Sequence, residues 1–87
     1  MEKVMTIRNR MGLHARPAAM FVNEAGKFKS QIFVVKDGLQ VNGKSVMGLM
    51  LLAAESGSKL TIKVDGPDEA AALEALEKLF EKRFDEQ

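Results

Sequence analysis

The chain has no cysteine, no tryptophan and no tyrosine, and it holds one histidine and two prolines in 87 residues. Without cysteine there is no disulfide framework and no thiolate metal site. A single histidine cannot complete a zinc site either, so no metal and no cofactor is expected. The core must be assembled from Phe, Leu, Val, Ile, Met and Ala alone. Long apolar runs are also missing. The longest, Leu49 to Ala54, falls far short of the roughly 20 residues that span a bilayer. The opening Met-Glu-Lys-Val-Met-Thr-Ile lacks the apolar stretch of a signal peptide. These absences lead us to expect a single domain over residues 1–87, cytoplasmic, monomeric, inserting in no membrane and binding no nucleic acid.

Net charge is close to zero, at +1, but its distribution is uneven. Residues 1–45 hold eight Lys/Arg against three Asp/Glu, and residues 46–87 hold five against nine. One reading is two solvated faces of different composition. The other is a positive field around the histidine that attracts an acidic or phosphorylated partner.

The pattern of elements is β-α-β-β-α-β-α. Lys3–Arg8 reads as a strand, Arg16–Ala25 as a helix ended by a left-handed Gly26, and Gln31–Lys36 as a second strand. Asp37-Gly38 is a hairpin turn signal leading to a short strand at Leu39–Asn42. Ser45 caps a short helix over Val46–Ala54 whose apolar residues run nearly all round, which predicts burial or a contact surface. Lys59–Val64 alternates as a half-solvated strand. Gly66-Pro67-Asp68 turns into a capped helix predicted over Glu69–Phe84, with Leu73, Leu76, Phe80 and Phe84 on one face and a Glu74–Lys78 pair. Helices inserted between alternating strands imply an α+β fold, a four-stranded antiparallel sheet with three helices on one face.

The histidine lies in Gly12-Leu13-His14-Ala15-Arg16-Pro17-Ala18-Ala19. Ala18, Phe21, Val22 and Ala25 recur on one helical face, and proline is tolerated in a first turn. His14 therefore falls at a helix N-terminus, where open N–H groups and the helix dipole favour anions. A neutral imidazole is a nucleophile near pH 7, and Arg16 is placed to pair with phosphoryl oxygens. No acidic residue stands between Lys3 and Val22, so nothing local opposes a phosphate. The pattern points to a histidine that carries a phosphoryl group. A hydrolytic triad has no G-x-S-x-G support.

A competing motif is Gly38-Leu39-Gln40-Val41-Asn42-Gly43-Lys44-Ser45, which fits the phosphate-loop pattern G-x-x-x-x-G-K-S. It supports an alternative, a small nucleotide-binding protein using Gly43, Lys44 and Ser45. Against it, Asp37-Gly38 reads as a hairpin and Leu39-x-Val41 as a paired strand, which spends the N–H groups a cradle needs. Ser45 is read as a helix cap and also as a regulatory phosphosite. Met11, Met20, Met47 and Met50 lie in or beside the two segments. Met47 and Met50 share a face, an adaptable docking patch if exposed.

The Gly12–Ala18 segment resembles the active-site motif of the HPr family, histidine phosphocarriers of the bacterial phosphoenolpyruvate-dependent phosphotransferase system. Lys44-Ser45-Val46-Met47-Gly48-Leu49-Met50 is similar to that family's regulatory-serine motif. Met11 and the ending Leu79–Asp85 look closer to nitrogen-branch and related proteobacterial carriers. The resemblance implies an open-faced β-sandwich. It implies a carrier rather than an enzyme, with His14 phosphorylated on Nδ1 by phospho-enzyme I and the group passed to enzyme IIA proteins or domains. It implies that Arg16 assists at the phosphate, and that Ser45 is the target of an HPr kinase/phosphorylase where one exists. The backbone N–H groups of Ala15 and Arg16 are expected to bind phosphate, and Ala19, Met20, Val46, Met47 and Met50 to form the docking surface.

Overall fold

The computed structural model describes residues 1–86. Its elements are β1 (Glu2–Thr6), α1 (Ala15–Ala25), β2 (Gln31–Lys36), β3 (Leu39–Asn42), α2 (Val46–Leu51), β4 (Lys59–Asp65) and α3 (Glu69–Glu81). A short 3-10 turn, Arg83–Asp85, follows α3. The strands form one antiparallel sheet in the order β1-β4-β2-β3. The predicted α+β arrangement, a four-stranded open sheet with three helices, is the one found.

Alternation decides which sheet face is covered. Met5, Ile32, Val34, Val41, Leu60, Ile62 and Val64 point inward and are buried, while their neighbours Val4, Gln31, Gln40 and Lys63 remain exposed. The helices close over the inward face. α1 contributes Pro17, Ala18, Phe21 and Ala25, and α3 contributes Ala72, Leu76, Leu79 and Phe80. Phe21 meets Phe80 edge-on with ring centroids 6.2 Å apart, and Phe80 meets Phe84 at 5.1 Å. Edge-on aromatic pairs contribute about 1 kcal/mol each beyond buried area. These two pairs tie α1, α3 and the C-terminal turn into one core.

Four local expectations are corrected. Gly26 has φ −64° and ψ −16°, so α1 ends on a right-handed residue and not on a left-handed cap. Asp68 stands at the N-cap of α3 without capping it. Its carboxylate accepts instead from Ser30 Oγ and from the backbone N–H groups of Lys29 and Ser30. α2 is shorter than predicted, ending at Leu51, because Ala53 turns left-handed at φ 48°. α3 stops at Glu81 rather than continuing to Phe84. Arg83, Phe84 and Asp85 all take positive φ, between 52° and 58°. Phe84 is fully buried even so, and its place in the core holds a backbone conformation that costs non-glycine residues about 1 kcal/mol each.

Candidate functional site

The Asn9–Leu13 loop sets the entry to α1. Gly12 takes φ +74°, and a Cβ there would lie 2.5 Å from the Ala54 carbonyl oxygen. Leu13 N–H donates to that same carbonyl at 2.8 Å. The close approach pins the loop against the chain leaving α2, which also packs on α1. His14 follows in extended conformation as the N-cap of α1, and its C=O accepts from Ala18 N–H at 3.0 Å.

The imidazole does not cap the helix. Its Nε2 faces both carboxylate oxygens of Glu86, at 3.1 and 3.0 Å. A nitrogen facing two carboxylate oxygens carries a proton, and in the neutral ring that is the Nε2–H form, which leaves the lone pair on Nδ1. Nδ1 makes no hydrogen bond among the described residues. Ala15 and Arg16 are the first two residues of α1 and Pro17 has no N–H, so the two N–H groups at this helix end have no acceptor within the helix. Arg16 sends Nη1 to Glu86 Oε2 at 3.0 Å and to the Phe84 carbonyl at 3.3 Å. His14 and Arg16 are thus brought together at one exposed helix end.

No motif or periodicity in the sequence signals Glu86. The segment from Lys3 to Val22 holds no acidic residue, but the left-handed turn at Arg83–Asp85 brings the Glu86 carboxylate onto the N-terminus of α1 from the far end of the chain. Asn9, fully buried, completes the arrangement. Its Nδ2 donates to Glu86 Oε1 at 3.0 Å and to the Gly12 carbonyl at 2.7 Å. Burial of the Glu86 carboxylate acts to raise its pKa. Hydrogen bonds from His14, Asn9 and Arg16 outweigh it, and the net shift is downward, toward the charged form.

The second sequence motif is distributed differently. Ser45 caps α2, its Oγ accepting from Gly48 N–H at 3.0 Å. The phosphate-loop resemblance of Gly38–Ser45 has no cradle behind it. Asp37 and Gly38 form a hairpin with φ 50° and 84°, and Leu39–Asn42 pairs with β2. Gly43 N–H donates to the Ile32 carbonyl at 2.7 Å, and Lys44 Nζ to the Phe28 carbonyl at 2.8 Å. The N–H groups and the lysine that nucleotide binding would need are spent on the fold. Of the expected docking residues, Met47 and Met50 are exposed, and Ala19, Met20 and Val46 are half-buried. Exposed Met11 and Leu51 extend the apolar surface. No group of three or more His, Cys, Asp or Glu residues among those described could hold a metal. No helix of the described residues is long and apolar enough to cross a membrane.

Comparison with known proteins agrees with this geometry. The phosphocarrier protein HPr of Treponema pallidum (strain Nichols) is 51% identical over 85 residues, 98% of this chain and 97% of that protein. The HPr-like protein Crh of Halalkalibacterium halodurans is 53% identical over 81 residues, 93% of this chain and 96% of its own. The crystal structure of HPr from Thermoanaerobacter tengcongensis superposes with a TM-score of 0.96 at 47% identity, covering 100% of this chain and 98% of that one. The family model described as the PTS HPr component phosphorylation site matches residues 1–82. With its open-faced sheet and the His14 segment at a helix start, the chain belongs to the HPr family of phosphotransferase-system phosphocarriers, which carry a phosphoryl group and are not themselves enzymes.

Proposed function

We propose that His14 is the carrier residue, accepting a phosphoryl group on Nδ1 from phospho-enzyme I and passing it to enzyme IIA proteins or domains. The observation that carries this is the ring's orientation: Nε2 is occupied by Glu86, and Nδ1 is left open at a helix N-terminus. Nδ1 attacks phosphorus in line with the donor's phosphohistidine bond, and the reverse attack by the acceptor discharges it. The carrier supplies positioning and charge stabilisation. The N–H groups of Ala15 and Arg16 and the Arg16 guanidinium are assigned to the phosphoryl oxygens. Met47 and Met50, with Ala19, Met20 and Val46, dock partners through a small, transient interface. The output is sugar uptake, its regulation, or both.

Incubation with phosphoenolpyruvate and enzyme I, followed by intact mass and acid treatment, tests the proposal. An acid-labile phosphoryl adduct that disappears in His14→Ala is the expected result. No adduct with competent enzyme I would overturn it. Ser45 is proposed as a regulatory site because its hydroxyl stands at the open end of α2, where a phosphate would meet the free N–H groups of the first turn and add charge beside the docking surface. Incubation with an HPr kinase and ATP should give an acid-stable adduct that is lost in Ser45→Ala. An unmodified Ser45 would remove this role.

A further inference from the structure

We infer that Glu86, held by Asn9, is a positioning residue for phosphoryl transfer: it keeps the proton on His14 Nε2 through both halves of the relay. The inference rests on His14 being the carrier residue. When Nδ1 attacks phosphorus, the new N–P bond takes the Nδ1 lone pair and the donor's N–P bond returns its electron pair to the donor ring. The His14 ring thereby gains positive charge, and its remaining proton is on Nε2. A carboxylate 3.0 Å from that nitrogen stabilises the charge as it develops. In the return step the carboxylate matters again. A phosphorylated ring that keeps Nε2–H departs from phosphorus as neutral imidazole. A ring that has lost that proton must depart as imidazolate, a far poorer leaving group. No proton is gained or lost overall.

Two features show that the carboxylate is placed and not merely nearby. Glu86 receives donors from three side chains of the segment that enters α1, Asn9 Nδ2, His14 Nε2 and Arg16 Nη1. Asn9 also turns its amide nitrogen to Glu86 and Gly12 at the expense of its own Oδ1, which is buried without a hydrogen-bond partner. An orphaned buried acceptor is costly, and here the orientation that leaves it orphaned is the one that holds the carboxylate.

Glu86→Gln tests the inference because it keeps shape and removes charge. The substitution lies beyond the last helix and leaves the core intact. With a single histidine in the chain, the ring 15N signals of His14 report directly. In the unphosphorylated wild type at pH 8 they should show the Nε2–H form, and in Glu86→Gln a mixture of tautomers. Phosphorylation by enzyme I should slow by about tenfold in kcat, as expected for loss of one charge contact near the surface, with KM changed less than twofold. Transfer from the phosphorylated variant to an enzyme IIA should slow similarly. Unchanged ring signals together with unchanged kcat would overturn the inference. A faster Glu86→Gln would overturn it too, since Glu86 would then be competing with phosphate for Arg16. If the wild type accepts no phosphoryl group, the carrier assignment itself fails, whereas normal phosphorylation of both proteins removes only the role of Glu86.

Discussion

Gly12 and Asp68 show how single residues fix the two ends of the molecule. At Gly12 the left-handed backbone and the 2.5 Å approach to Ala54 leave no room for a side chain. Gly12→Ala should cost about 2 kcal/mol or more, read as a lower urea midpoint, because the φ penalty and the clash add. At the other end, three hydrogen bonds hold the Asp68 carboxyl at about 2, below its ordinary 3.8, the Ser30 hydroxyl contributing most. A depressed carboxyl stabilises the fold above its unfolded pKa and loses that contribution as pH falls through the folded one. Wild-type stability should therefore fall between pH 3.8 and about 2. Asp68→Asn should be less stable at neutral pH and flatter across that window, measured by urea unfolding at stepped pH. Residues whose chemistry is local were legible in the sequence: Gly12, His14, the Asp37-Gly38 turn and the Ser45 cap. Glu86 was not. It lies 72 positions from His14, and nothing in Arg83-Phe84-Asp85 signals a left-handed turn, which usually falls on glycine or asparagine. Asn9 carries no signal in the sequence for the same reason, since its partner is supplied by the far end of the chain.

At the scale of elements, order and type followed from periodicity, while helix ends did not. The spacing of Leu76, Phe80 and Phe84 continues a helical face past Glu81, and all three residues are buried as that face requires. The backbone nevertheless leaves the helix, because burial of Phe84 against Phe80 is compatible with the left-handed turn and periodicity reports burial, not φ. The turn connects core to site. Phe84→Ala should therefore have two effects. Loss of a buried phenyl ring costs about 3 kcal/mol in thermal or urea unfolding. The tail is also released, so the His14 ring signals should move toward those of Glu86→Gln. In α2 the relation is simpler. Ser45→Ala removes the bond to Gly48 N–H and should cost about 1 kcal/mol, with no change in the His14 ring signals, because the cap and the site meet only through helix packing.

Across the whole molecule the uneven charge of the two sequence halves largely dissolves. β4, from the acidic half, lies between β1 and β2 from the basic half, and acidic residues of α3 and of the C-terminal turn pair across the divide. Glu77 pairs with Lys3, Glu69 with the N-terminal amine and Glu86 with Arg16. The imbalance is open to two readings, two solvated faces of different composition or a positive field around His14, and the antiparallel topology interleaves the halves from which both are drawn. What distinguishes the surface near His14 is apolar instead. Met11, Met47 and Leu51 are each more than 70% exposed, and α2, which carries two of them, packs on the helix that His14 begins. Exposed methionines adapt to differently shaped partners, which suits a carrier that meets a donor and an acceptor in turn. Met47→Lys should therefore raise the KM for enzyme I about fivefold or more, as loss of a central contact does in small interfaces. It should leave unfolding within about 0.5 kcal/mol, because the side chain touches little of the core. Val4→Lys is the control. Val4 is also an exposed apolar residue, but it stands on the edge strand β1, which packs with α3. A docking role confined to the α1–α2 side predicts no change in KM for Val4→Lys, whereas an equal rise in both variants would mean that added positive charge alone weakens association and that the methionine face is not the docking surface.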